Sequence, residues 1–136
     1  MKLTARVRYA TRFIMELSFN SNEATLKTSE VSMRQGISMK YLEQLMRPLK
    51  EGNIIDSVRG PKGGYVLVRS IDDITLGEIA RIFEGPPETV EQVGSTAETT
   101  ERQDYEIRKA WQAATQALYE KLDEISINNL IDGTRK

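Results

Sequence analysis

A chain of 136 residues with 39% hydrophobic content has room for one modest core and an appendage, not for two independent cores. It contains no cysteine and no histidine, which excludes disulfides, thiolate or imidazole metal ligands and imidazole acid–base chemistry. The net charge of -1 hides a division: residues 1–69 carry 12 Lys/Arg against 6 Asp/Glu, and residues 70–136 carry 7 against 14. A basic half suits a polyanion, and an acidic half suits solvent, a protein or a second subunit, with chance segregation of charge as the competing reading. No apolar run is long enough to span a bilayer and no charged-then-apolar signal segment opens the chain, so the expected location is the cytoplasm, away from membranes.

Thr4 is placed to cap a first helix reaching about Ser18, with Val7, Ala10, Phe13, Ile14 and Leu17 at helical spacing. Arg6, Arg8 and Arg12 lie off that stripe, available to phosphates or simply solvated. After the turn-rich Asn20-Ser21-Asn22, Thr28 is placed to cap a second helix to about Gln35, and Gly36 supplies a turn. Ser38 then caps a third helix whose Leu42, Leu45, Met46 and Leu49 form one apolar stripe. Its other face presents Lys40, Tyr41, Gln44 and Arg47. Two short helices around a glycine are common. The next stretch is more distinctive: strand-like runs from Asn53 to Val58 and from Tyr65 to Val68 are joined by Arg59-Gly60-Pro61-Lys62-Gly63-Gly64. Helix, turn, helix and then a cationic hairpin is the order of a winged helix-turn-helix, in which the second helix enters the major groove and the wing meets the backbone beside it. A tight hairpin accounts for the glycines whatever its role, and only partly for Arg59 and Lys62.

Thr75-Leu76-Gly77-Glu78 has the spacing of a capping box and starts a fourth helix that Gly85-Pro86-Pro87 stops. No constellation of carboxylates assembles along the chain, so an enzyme is not expected. The predicted organisation is mainly α with a small β-wing: a DNA-binding domain over 1–85, a sensor-type loop over 86–100, and a dimerisation helix and tail over 101–136. In the long helix Ile107, Trp111, Ala114, Leu118, Leu122 and Ile125 are separated by 4, 3, 4, 4 and 3. Such a seam beyond a domain with its own core needs a partner; a second copy is the expected one, and folding back onto its own domain is the alternative. Residues 128–136 are expected to fray, with packing of Leu130 and Ile131 as the alternative.

Arg8-Tyr9-Ala10, Tyr41-Leu42-Glu43-Gln44-Leu45 and Arg59-Gly60-Pro61-Lys62-Gly63-Gly64-Tyr65 resemble, in this order, the Rrf-two family of bacterial transcription regulators, relatives of the iron-sulfur cluster regulator. The resemblance implies a dimeric winged helix-turn-helix repressor on a near-palindromic DNA operator. It implies Ser38, Tyr41, Glu43 and Gln44 as contacts of the reading helix and Arg59 as the wing residue in the minor groove. An acidic Glu43 repels phosphate but accepts the exocyclic amine of cytosine, unless Lys40 or Arg47 holds it in a salt bridge. Cluster-binding members of the family carry three cysteines in the region corresponding to Val90–Tyr105. Here Gln92, Thr99 and Tyr105 stand near those places, so no cysteine-ligated cluster and no other cofactor is expected. Two readings stay open: a cluster-free member that senses a small molecule or a regulatory protein, or a cysteine-replaced form of a cluster sensor. A protein-interaction module is the reading from a different class, disfavoured by the basic excess of the first half.

Overall fold

The computed structural model describes residues 4–19, 25–61, 63–85 and 98–135. Its elements are α1 (Ala5–Phe19), α2 (Thr28–Gln35), α3 (Met39–Glu51), β1 (Ile55–Val58), β2 (Gly64–Leu67), α4 (Leu76–Glu84), α5 (Glu98–Asp123) and α6 (Ile127–Thr134). The two strands form an antiparallel hairpin in which Ile55 faces Leu67 and Val58 faces Gly64. Helices with a small wing are thus the architecture that the residue pattern predicts.

The core forms where the stripes of α1 and α3 meet: Phe13 and Ile14 from α1, Leu42, Leu45, Met46 and Leu49 from α3, with Ile54, Ile55, Ile74 and Ile79 closing around them. Thr11 shares the buried face of α1 because its hydroxyl donates to the Val7 carbonyl at 2.7 Å, which satisfies the polar group. Gly36, at φ 65°, makes the left-handed turn that ends α2 and sends the chain into α3. At the wing base, Leu26 exchanges two backbone hydrogen bonds with Tyr65, of 3.0 and 2.9 Å. Gly64 sits under that bridge, where a Cβ would run into the Leu26 carbonyl.

Three expectations are corrected. Thr28 does not cap α2: it is the first helical residue, and Lys27 holds the cap position without a side-chain bond. The Leu26–Tyr65 bridge fixes that entry instead. The capping box of α4 is half formed. The Thr75 hydroxyl accepts from the Glu78 amide at 3.1 Å, but the Glu78 carboxylate goes to Arg69 rather than back to Thr75. Finally, the described residues 128–135 are not a frayed end, and the alternative of packing holds for Ile131. Ser126 and Asn129 form a complete capping box, α6 follows, and Ile127 and Ile131 are buried in the main core. An isolated β-bridge between Thr75 and Ser126, flanked by Leu76–Ile125 and Ile127–Ile74 backbone bonds of 2.9 Å each, ties α6 to the start of α4.

Between these anchors α5 runs antiparallel to α4. Tyr119 and Leu122 pack on Ala80, with Leu76 and Leu118 at the margin. Arg81 grips Asp123 through two bonds of 2.6 and 2.9 Å and lies 4.9 Å from the Tyr119 ring centre, and the Tyr119 hydroxyl reaches the Gly85 carbonyl at 3.4 Å. Gly77 lets the two helices close up, since a Cβ there would overlap the Asp123 carboxylate. The earlier turns of α5 continue past the end of α4, and no side chain from 101 to 118 is buried.

Candidate nucleic-acid interface

Because α3 buries its leucine stripe, its opposite face is presented outward by construction. Ser38 sits at the tip, its hydroxyl accepting from the Tyr41 amide at 3.1 Å, which organises the first turn. Met39, Lys40, Glu43, Gln44 and Arg47 are exposed behind it. Tyr41 is half-buried: its ring meets Tyr9 edge to face, centroids 5.9 Å apart, so α1 fixes the angle at which it leaves the helix. Glu43 forms no ion pair with Lys40 or Arg47, and those two cations and Arg59 are unpaired among the described residues. The intrahelical salt bridge weighed for Glu43 is absent there.

The hairpin stands beside this face. Lys50 donates to the Ser57 hydroxyl at 2.8 Å and lies 3.9 Å from Asp56, bracing α3 against β1. Between helix and hairpin lies a cleft of about 770 Å³ lined by Glu43, Met46, Arg47, Lys50, Ser57 and Tyr65. Burial, and secondarily the Glu43 carboxylate, pushes the Tyr65 phenol up, so it stays a neutral donor. Arg59 is exposed at the end of β1. Lys62 lies outside the described residues.

Ser38, Lys40, Glu43 and Gln44 are therefore exposed on α3, with Tyr41 half-buried among them, and Arg59 is exposed at the end of the strand that lies beside that helix. Of the first-helix arginines, Arg6 is taken by the Phe83 carbonyl at 3.3 Å and by Glu84 at 3.9 Å. Arg8 and Arg12 form no ion pair among the described residues. On α5, Ile107 and Trp111 are 54% and 62% exposed. Ala114 is also exposed, while Leu118 and Ile125 are half-buried. Leu122 is corrected as an interface residue: it is 7% exposed and already packed on Ala80 of its own chain. Part of the seam thus folds back, and part stays free.

Two features escape a reading of the sequence. Met39 stands 46% exposed at the reading tip, where a side chain outside the apolar stripe draws no attention in a periodicity count. The Gly77–Arg81–Asp123 contact joins residues far apart in the chain, so no local pattern announces it.

The family model described as an iron-dependent transcriptional regulator, Rrf2, matches residues 3–133. Protein rrf2 of Nitratidesulfovibrio vulgaris is 33% identical over 131 residues, covering 96% of this chain and 87% of that protein. The HTH-type transcriptional regulator CymR of Bacillus subtilis is 32% identical over 134 residues, covering 98% and 92%. The structure of that CymR, titled the global cysteine regulator of B. subtilis, superposes with a TM-score of 0.75 at 31% identity, covering 96% of this chain and 95% of its own. Iron appears in the family description, but the donor chemistry here does not fit a cluster. Thiolate and imidazole are absent from the whole sequence, and the described residues offer no group of three or more acidic side chains placed to hold a metal ion. Gln92 lies outside the described residues, Thr99 falls in the first turn of α5, and Tyr105 is exposed.

Proposed function

The chain belongs to the Rrf2 (Rrf-two) family and is a DNA-binding transcription regulator, not an enzyme; from that premise we propose that it works as a homodimeric repressor on a near-palindromic operator. The observation that carries the DNA half of this reading is the outward face of α3, with Lys40, Arg47 and the wing's Arg59 uncommitted to any carboxylate among the described residues. The N-terminal turns of α3 enter a major groove and Arg59 takes the minor groove or phosphates alongside. Ser38, Tyr41 and Gln44 donate to or accept from base edges. Glu43 accepts the exocyclic amine of cytosine and penalises other bases. Met39 supplies the apolar contact that a thymine methyl group takes. The dimer half rests on the exposed Ile107 and Trp111, which lie on a helix that projects beyond its own core. The input arrives as a small molecule or a protein acting on the 86–97 segment and α5, not as a cysteine-ligated cluster.

Selection from a random duplex library at moderate salt tests this. A two-fold symmetric consensus is the expected result, with affinity falling steeply as salt rises because phosphate contacts release counterions. No enrichment over random DNA would overturn the assignment of the site. Transcription in vitro from a promoter overlapping the selected sequence should fall when the protein is added; a rise would make it an activator.

A further inference from the structure

Tyr41 leaves α3 from its first turn, as the third residue of a helix that begins at Met39. Deeper in a helix the preceding turn excludes one of the three staggered χ1 rotamers; in the first turn that restriction is missing. The backbone is held, since the Tyr41 amide donates to the Ser38 hydroxyl at 3.1 Å, but that bond leaves χ1 free. The Tyr41 hydroxyl has no hydrogen-bond partner among the described residues. What orients the ring comes from another element: Tyr9 of α1 meets it with 5.9 Å between centroids and 87° between planes. An edge-to-face pair is directional, because the ring edge is positive and the face negative, so it selects a setting of the ring as well as burying it.

One turn further along α1 the same arrangement recurs. Phe13 lies four residues after Tyr9, hence on the same side of the helix, and meets Tyr65 at the wing base edge to face, at 6.0 Å and 80°. Thus α1 sets one ring against each of the two elements proposed to contact DNA. The two rings differ in depth. Phe13 is fully buried within the core, so its loss would open the fold, whereas Tyr9 is half-buried and packs at the core's margin. The Tyr9 contact can therefore be altered with the core retained.

We propose that Tyr9 is a positioning residue for sequence discrimination: without touching a base itself, it holds Tyr41 in the setting from which the Tyr41 hydroxyl meets a base edge. This rests on the reading of Tyr41 as a base contact given above and names what makes that contact selective. A hydrogen bond weakens steeply with misalignment, so a Tyr41 ring that samples rotamers about 120° apart would meet cognate and non-cognate steps alike.

Affinities for the selected operator, and for duplexes changed one base pair at a time, are measured with the full chain as wild type, Tyr41→Ala, Tyr9→Leu, Tyr9→Phe and the Tyr9→Leu, Tyr41→Ala double variant. Tyr41→Ala should flatten the preference at one base step of each half-site. Tyr9→Leu should lower the preference at that same step about fivefold, the scale of one edge-to-face contact, and leave the other steps and the salt slope unchanged. Tyr9→Phe keeps the ring and should retain the wild-type preference, and Tyr9→Leu should add nothing in the Tyr41→Ala background. A uniform loss of affinity at every step, or a Phe variant as impaired as the Leu variant, would overturn the positioning role. Full discrimination in Tyr9→Leu beside a flattened step in Tyr41→Ala would overturn it and leave Tyr41 as a base contact. No flattened step in Tyr41→Ala would remove both. A second measurement needs no variant: in the free protein, three-bond couplings to the Tyr41 β-protons should show one χ1 rotamer, and rotamer-averaged couplings would equally sink the proposal.

Discussion

The third helix and the projecting half of the fifth are both amphipathic, yet they spend their apolar stripes differently. In α3, Leu42, Leu45, Met46 and Leu49 are buried by α1 and the hairpin of the same chain, and the polar face is held outward as a consequence. In α5, Tyr119 and Leu122 are buried in the chain's own core with Leu118 packed at its margin, and Ile107 and Trp111 remain in solvent. A helical stripe therefore states that a partner is required but not which chain supplies it. That depends on where the helix is rooted. α3 is enclosed between a glycine turn and a hairpin; α5 is gripped at its last turns by Arg81 and Gly77 and runs free before them.

The contrast is broken most forcefully from the α3 side. Leu45→Ala removes a fully buried side chain and should cost about 2–5 kcal/mol of folding stability by denaturant unfolding. The matching change in α5, Trp111→Ala, should leave subunit folding within about 0.5 kcal/mol. It should weaken association by about 2 kcal/mol, roughly thirty-fold in the dimer dissociation constant by sedimentation, as expected of an aromatic anchor. If both variants lose folding stability equally, the distinction between the two helices fails.

Arg59→Ala sharpens the comparison on the reading side. It should weaken operator binding by about 1.4 kcal/mol, tenfold, and reduce the salt slope by about one, with no change in association. Replacing thymine by uracil at the operator position facing Met39 deletes one methyl group, and should cost about 0.8 kcal/mol in the wild type and nothing in Met39→Ala. The smallest effect is expected at the root of α5. Arg81 hydrogen-bonds Asp123 and holds its carboxyl below the usual 3.8. Its stabilising contribution is therefore fully present above about pH 4 and is lost as pH falls through the lowered value. The pair is solvent-exposed, so Asp123→Asn should cost only about 0.5 kcal/mol at pH 7, and the gap to wild type should close in acid.

The reading half is legible in the sequence because its signals are local. Gly36, Ser38, the four-residue stripe of α3 and the glycine-rich cationic hairpin each sit within a few positions of what they shape. Tyr41 stands out as a candidate base contact, but its packing on Tyr9 belongs to a pairing across distant segments. The last helix escapes for the same reason. Asn128, Asn129 and Gly133 lower helix propensity over a short stretch, and what holds α6 is burial of Ile127 and Ile131 with the bridge to Thr75. Similarly, Leu122 fits the seam as well as Trp111 does, and only the approach of α4 separates their fates.

The bridge between Thr75 and Ser126 makes the reading head non-detachable. A fragment cut after Gly85 would keep the residues proposed to contact DNA and still open the core, because Ile127 and Ile131 fill space between α1 and the start of α4. Anyone grafting this head onto another effector must carry the final helix along, supplied in trans or looped back through a linker that replaces α5. Conversely, α5 can be swapped for a different spacer only if its C-terminal end returns the chain to the bridge between Thr75 and Ser126.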